Sequence, residues 1–124
     1  MNLNDYTVKA QNVFEKTLIK AREFGNQAIE PGHLLLSLLD DNDNIINTIL
    51  SKIEVDKHNF ESATLSIVNS YPKVEGGDPY FSANMQNIIQ EAQKHKTSMQ
   101  DKFVSVEHLI LALSESKDTI GQMM

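Results

Sequence analysis

Apolar residues recur along most of this chain at the spacing of one helix face. From Thr7 onward, Ala10, Val13, Phe14, Thr17, Leu18, Ala21 and Phe24 follow the i, i+3, i+4, i+7 rule. Thr7 stands where an N-cap belongs, and Gly25 with Asn26 supplies a left-handed stop. Pro31 suits the first position of a second helix, whose Leu34, Leu35, Leu36, Leu38 and Leu39 demand burial on most sides. Asp43 caps a predicted third helix with Ile45, Ile46, Ile49, Leu50 and Ile53 on one face. Asp56 caps a fourth, with Phe60, Ala63, Thr64, Ile67 and Val68 as its stripe. Residues 71–79 then break the periodicity with two prolines and two adjacent glycines, which reads as a linker. After it, Ser82 caps a helix carrying Met85, Ile88, Ile89 and Ala92, and Ser105 caps another with Leu109, Ile110, Leu111 and Leu113. No stretch alternates as a strand would, so no sheet is expected.

The pattern repeats. A shift of 75 positions carries Thr7 onto Ser82, Gln11-Asn12 onto Gln86-Asn87, and Val13-Phe14 onto Ile88-Ile89. The same shift carries Ile29 onto Val104, His33-Leu34-Leu35-Leu36 onto His108-Leu109-Ile110-Leu111, and Asp43 onto Asp118. Caps, core stripe and histidine recur together. The predicted fold is all-α, a pseudo-twofold tandem repeat of four-helix units. Repeat one covers 6–70, the linker 71–79, and repeat two 80–124. The counterpart of the fourth helix would lie past residue 124, so the last helix is expected to be truncated and the sequence to be an N-terminal module of a larger protein.

Composition narrows the chemistry. A chain of 124 residues is one domain with one core. It has no cysteine, which excludes disulfides, thiolate metal sites and a thiol nucleophile. Eleven Lys plus Arg stand against 17 Asp plus Glu, a net charge of −6, which argues against nucleic-acid binding. No apolar run is long enough for a bilayer and no basic-then-apolar leader opens the chain. A cytoplasmic protein without a membrane partner is the expectation. Gly76-Gly77 is followed by Asp78, without the Lys-Ser/Thr of a phosphate loop. His33 and His108 lack a second histidine one turn away, so each is expected to pack and satisfy a backbone group, and no metal is expected. Lys94-His95-Lys96 reads as a solvated helix end. No nucleophile–base pair for a small helical enzyme stands out.

Three stretches carry a family resemblance: Tyr6-Thr7-Val8-Lys9-Ala10-Gln11, Ile29-Glu30-Pro31-Gly32-His33-Leu34-Leu35-Leu36 and Val104-Ser105-Val106-Glu107-His108-Leu109. With the Gly-Pro linker between paired repeats, they resemble the Clp N-terminal (Clp repeat) domain that stands before the motors of AAA+ unfoldases. The linker 71–77 is similar to that of the ClpB-type disaggregase branch. The resemblance implies a stress-response chaperone module that binds exposed segments of unfolded or aggregated polypeptide. It would hand them to its own hexameric motor, with an adaptor or co-chaperone as a further partner. ATP and magnesium would belong to that motor, and this segment would hold no cofactor and catalyse nothing. The alternative is the adaptor-docking domain of a protease-coupled ClpC-type unfoldase.

The resemblance also maps a polar trio, Thr7, Asp101 and Glu107, onto a substrate groove. Each has a plain alternative: Thr7 as N-cap, Glu107 in the first turn of a helix, Asp101 in a turn. The repeat sets Asn26 opposite Asp101 and Gly32 opposite Glu107, so fold symmetry alone does not account for the two carboxylates. Phe81, Ile89 and Ala92 are the apolar groove candidates. His95 and His108 stand where apolar side chains occur in relatives, which implies a groove more tolerant of polar clients.

Overall fold

A computed structural model of the chain describes residues 2–40, 45–74 and 76–124. Among them are seven helices: α1 (Val8–Glu23), α2 (Pro31–Asp40), α3 (Ile45–Lys52), α4 (Lys57–Asn69), α5 (Ala83–Ser98), α6 (Val106–Ser114) and α7 (Thr119–Met123). A 3-10 turn, Leu3–Asp5, precedes α1. The expected caps form: Thr7 Oγ1 accepts from the Ala10 N–H and Ser82 Oγ from the Met85 N–H, both at 3.1 Å. Asp56 and Asp118 do the same for α4 and α7. Asp43 lies outside the described residues. α2 and α6 form the centre, with 31–39 buried throughout. α1 packs on α2 and α5 on α6, while α2 meets α5 and α1 meets α6 across the two halves.

The two halves share their bonds at the 75-residue shift. α1 and α5 have the same length and position, and each ends on a left-handed residue, Gly25 (φ +71°) or Gln100 (φ +60°). Entry to each helix is bonded to the other half. The Thr7 N–H donates to Val104 O at 2.9 Å, and the equivalent Ser82 N–H donates to Ile29 O at 3.1 Å. This exchange is what a twofold relation between repeats requires.

It also creates a feature that apolar spacing did not foretell. β1 (Ala28–Ile29) and β2 (Tyr80–Phe81) pair in parallel, and an isolated parallel bridge joins Tyr6 to Val104. The expectation of no sheet is corrected to two residue-scale crossings, too short for alternation to show. Other faces shift as well. On α3 only Ile46 and Leu50 are buried, and Ile45, Ile49 and Ile53 are exposed. Leu18 and Ala63 also face solvent. Described residues at both ends of the predicted linker are held to the first half: Tyr71 packs on the His33 ring, Asn26 Nδ2 donates to Pro72 O at 2.9 Å, and Gln27 Nε2 donates to Asp78 O at 3.1 Å. Among the described residues no helix is long and apolar enough to cross a membrane.

Candidate functional site: the crossing of Tyr6 and Val104

Each half carries an imidazole at the start of its central helix. The Glu30 N–H donates to His33 Nδ1 at 2.9 Å, so the ring proton sits on Nε2, which donates to Asn26 Oδ1 at 2.9 Å. In the second half the Ser105 N–H donates to His108 Nδ1 at 2.8 Å, and Nε2 donates to Asp101 Oδ2 at 2.8 Å. Both nitrogens of both rings are therefore engaged within the fold. Burial lowers the His33 pKa to about 4. It also raises that of Tyr71, whose hydroxyl accepts from the Gly32 N–H at 3.2 Å.

Fold symmetry thus accounts for Asp101 after all. It holds His108 as Asn26 holds His33. The Gly32–Glu107 pairing has a steric origin: a Cβ on Gly32 would lie 2.6 Å from the Tyr71 hydroxyl and 2.8 Å from Val68 Cγ2. At the equivalent position of the second half Glu107 is exposed. Asp101→Asn should leave stability near that of the wild type, because an amide oxygen does this work in the first half. Asp101→Ala should cost about 1–2 kcal/mol by stranding a buried N–H. Equal melting of the two variants would show that the bond to His108 contributes nothing.

Ser105 Oγ lies 3.0 Å from His108 Nδ1, completing a hydroxyl–imidazole–carboxylate chain that the sequence did not reveal. It lacks the character of a nucleophile–base pair. The Ser105 N–H occupies the Nδ1 lone pair that a base must keep free, and the same imidazole cap recurs at Glu30 without a hydroxyl. His95 pairs with Glu115 and His108 is buried, so His108 does not line a groove. Among the described residues no three histidines or carboxylates gather as metal ligands would.

The structure ties Thr7 to the segment that leads into α6. Thr7 is bonded to Val104, and Glu107 follows in the first turn of α6. Asp101 precedes that bridge and faces His108. Phe81 lies at the other crossing, half-buried against the core with Ile89. Ala92 is corrected outright: it is fully buried on the inner face of α5 with Ile88 and belongs to the core. The chain neighbours of the Thr7–Val104 bond supply what sequence reasoning missed. Val8 is 72% exposed and Phe103 42% exposed. Val8 sits one residue off the buried stripe and Phe103 in a turn, so helical periodicity says nothing about either.

The described architecture and the repeat are those of a known family. The family signature of the Clp repeat (R) N-terminal domain matches residues 5–124. The chain belongs to this family. The chaperone protein ClpB of Porphyromonas gingivalis is 34% identical over 113 residues, which is 91% of this chain and 13% of that protein. The chain therefore spans about an eighth of the length of that relative. The Hsp104 N-terminal domain of Candida albicans has the same fold, with a TM-score of 0.83 at 20% identity over 96% of this chain and 79% of that one. A solved complex of the ClpV N-domain with a VipB peptide matches with a TM-score of 0.80 at 16% identity, over 95% of this chain and 75% of that one.

Proposed function

We propose that this domain captures exposed segments of unfolded polypeptide at the Tyr6–Val104 crossing. The carrying observation is that Val8 and Phe103, the chain neighbours of the Thr7–Val104 bond where the two halves meet, are both exposed apolar side chains, with the exposed Glu107 in the first turn of the helix that follows. Apolar groups at the surface can take aliphatic or aromatic client side chains, and the carboxylate can attract lysines and arginines flanking them. That a related fold accepts the VipB peptide supports a polypeptide ligand. In this reading the chain is the front module of a longer cytoplasmic ClpB-type disaggregase. A hexameric, ATP- and magnesium-dependent motor would draw the client onward.

Capture for onward transfer calls for weak binding, and ordering a flexible client costs several kcal/mol. Affinity is expected to be micromolar or poorer, about −8 kcal/mol. The test is an NMR titration of the labelled domain with a reduced, carboxymethylated, permanently unfolded protein. Val8→Ser with Phe103→Ser should weaken binding about tenfold while leaving the melting temperature nearly unchanged, since both side chains are exposed. Glu107→Ala should weaken it about threefold, and less at high salt. Wild-type affinity in the double variant would overturn the assignment of this site.

A further inference from the structure

The two crossings are duplicates, and they differ in one respect that bears on how a client is held. In the parallel ladder the Tyr80 N–H donates to Gln27 O and the Ser82 N–H to Ile29 O, each at 3.1 Å. Successive backbone groups of a strand point to opposite sides. Phe81, between them, therefore turns its N–H and C=O away from β1, toward the outer edge. Its carbonyl accepts from Gln86 Nε2 at 3.0 Å, and Gln86 is exposed.

The first half shows the same edge closed. Tyr6 is the counterpart of Phe81, and its C=O accepts from Gln11 Nε2 at 3.1 Å. There, however, the 3-10 turn folds over: the Tyr6 N–H donates to Leu3 O at 3.1 Å, and Gln11 Nε2 also donates to Leu3 O at 2.9 Å. In the second half the counterpart of Leu3 is Asp78, whose carbonyl is instead taken by Gln27 Nε2 at 3.1 Å. Among the described residues no such turn reaches Phe81. One edge is sealed by its own chain, while among the described residues its double is covered by the exposed Gln86 side chain alone. Pro79, which has no N–H to offer, and the 55% exposed Tyr80 flank it.

We infer that the outer edge of β2 accepts an extended polypeptide segment as an added strand, with Gln86 as the side chain it displaces. The inference rests on the reading that the domain takes unfolded polypeptide, and it adds a second contact of a different kind. An incoming chain gives one carbonyl to the Phe81 N–H and one N–H to the Phe81 carbonyl that Gln86 vacates. Both partners are main-chain groups, so the contact is indifferent to client sequence. The Tyr80 ring offers an apolar surface beside it. A single residue of open edge is short enough to bind a client without templating aggregation, and Pro79 limits its extension.

The experiment titrates the labelled domain with an unstructured peptide of about twelve residues, rich in threonine and valine with a lysine at each end. A twin peptide carries N-methyl groups on alternate residues. The unmethylated peptide should shift the Phe81 amide, and the twin should bind about tenfold more weakly, the loss expected from one to two hydrogen bonds. Gln86→Ala should tighten binding about threefold by removing the competing donor. Phe81→Pro should lose affinity beyond Phe81→Ala, since both lack the ring but only proline lacks the N–H. Equal binding of the two peptides, with a still Phe81 amide, overturns strand addition and leaves capture at the Tyr6–Val104 crossing standing. Failure of both peptides and of the unfolded protein overturns both.

Discussion

Acidification from pH 7 to pH 4.5 should lower the stability of this domain by about 2 kcal/mol through His33 alone. The ring is fully buried, and burial lowers its pKa from 6.5 to about 4. Its Nδ1 accepts the Glu30 N–H, so a second ring proton would set two donors against each other and break the entry to α2. In the unfolded chain the same imidazole gains its proton near pH 6.5. A group with a depressed folded pKa contributes stability above its unfolded pKa and loses it as pH falls toward the folded one. The window is therefore pH 6.5 down to about 4, and the whole shift is worth about 3 kcal/mol. Urea unfolding of the wild type and of His33→Gln across this range isolates the effect, because every other group is common to the two proteins. At pH 7 the variant should be the less stable by about 2 kcal/mol, because Gln cannot reproduce both ring hydrogen bonds. The gap should close as pH falls. Parallel curves at all pH values would remove His33 from the account.

The histidine's structural role was legible, because a lone imidazole at the start of a buried helix has few other uses. The helices and caps were legible for the same kind of reason. Thr7, Ser82 and Asp56 act on backbone groups two or three residues away, and local chemistry appears locally in sequence. What escaped was set by partners distant along the chain. The Tyr6–Val104 bridge joins residues from opposite halves, and a ladder of two residues cannot show alternation. Ile45, Ile49 and Ile53 look like core on a helical wheel, but α3 buries only the narrower Ile46–Leu50 face. Asp101 could have been assigned from the repeat itself. Asn26 precedes His33 by the same seven residues that separate Asp101 from His108, and both contacts exist. The open edge at Phe81 was beyond reach, since it depends on a turn at Leu3–Asp5 that covers one duplicate and not the other. The repeat predicts what the halves share.

The largest loss of stability from a single methyl group should come at Gly121. A Cβ there would lie 1.8 Å from the Ser116 carbonyl oxygen and 2.5 Å from its carbon. Both are backbone atoms and cannot rotate aside. The neighbouring turn is itself fixed, with Ser116 Oγ donating to Asp118 Oδ1 at 2.7 Å and the Gly121 N–H donating to the same oxygen at 3.1 Å. Relief requires α7 to move away from the end of α6, which withdraws the fully buried Ile120 from the core. Losing that burial costs about 2–3 kcal/mol, and breaking the Asp118 cap adds about 1 kcal/mol. Gly32→Ala meets a gentler obstacle, because the atoms in its way are farther off, at 2.6 and 2.8 Å, and belong to the side chains of Tyr71 and Val68. Tyr71 can tilt, at the loss of its bond from the Gly32 N–H and some packing on His33, for about 1–2 kcal/mol. Glu107→Ala supplies the control at the position equivalent to Gly32, where the side chain is exposed, and should shift stability by less than about 0.5 kcal/mol. Thermal unfolding of the three variants should rank Gly121→Ala as the least stable, then Gly32→Ala, then Glu107→Ala. Hydrogen exchange should place the damage of Gly121→Ala in α7 and that of Gly32→Ala in α4 and Tyr71. A Gly121→Ala domain as stable as the Glu107→Ala control would mean that the turn before α7 yields freely, and that Ile120 does not anchor this end of the fold.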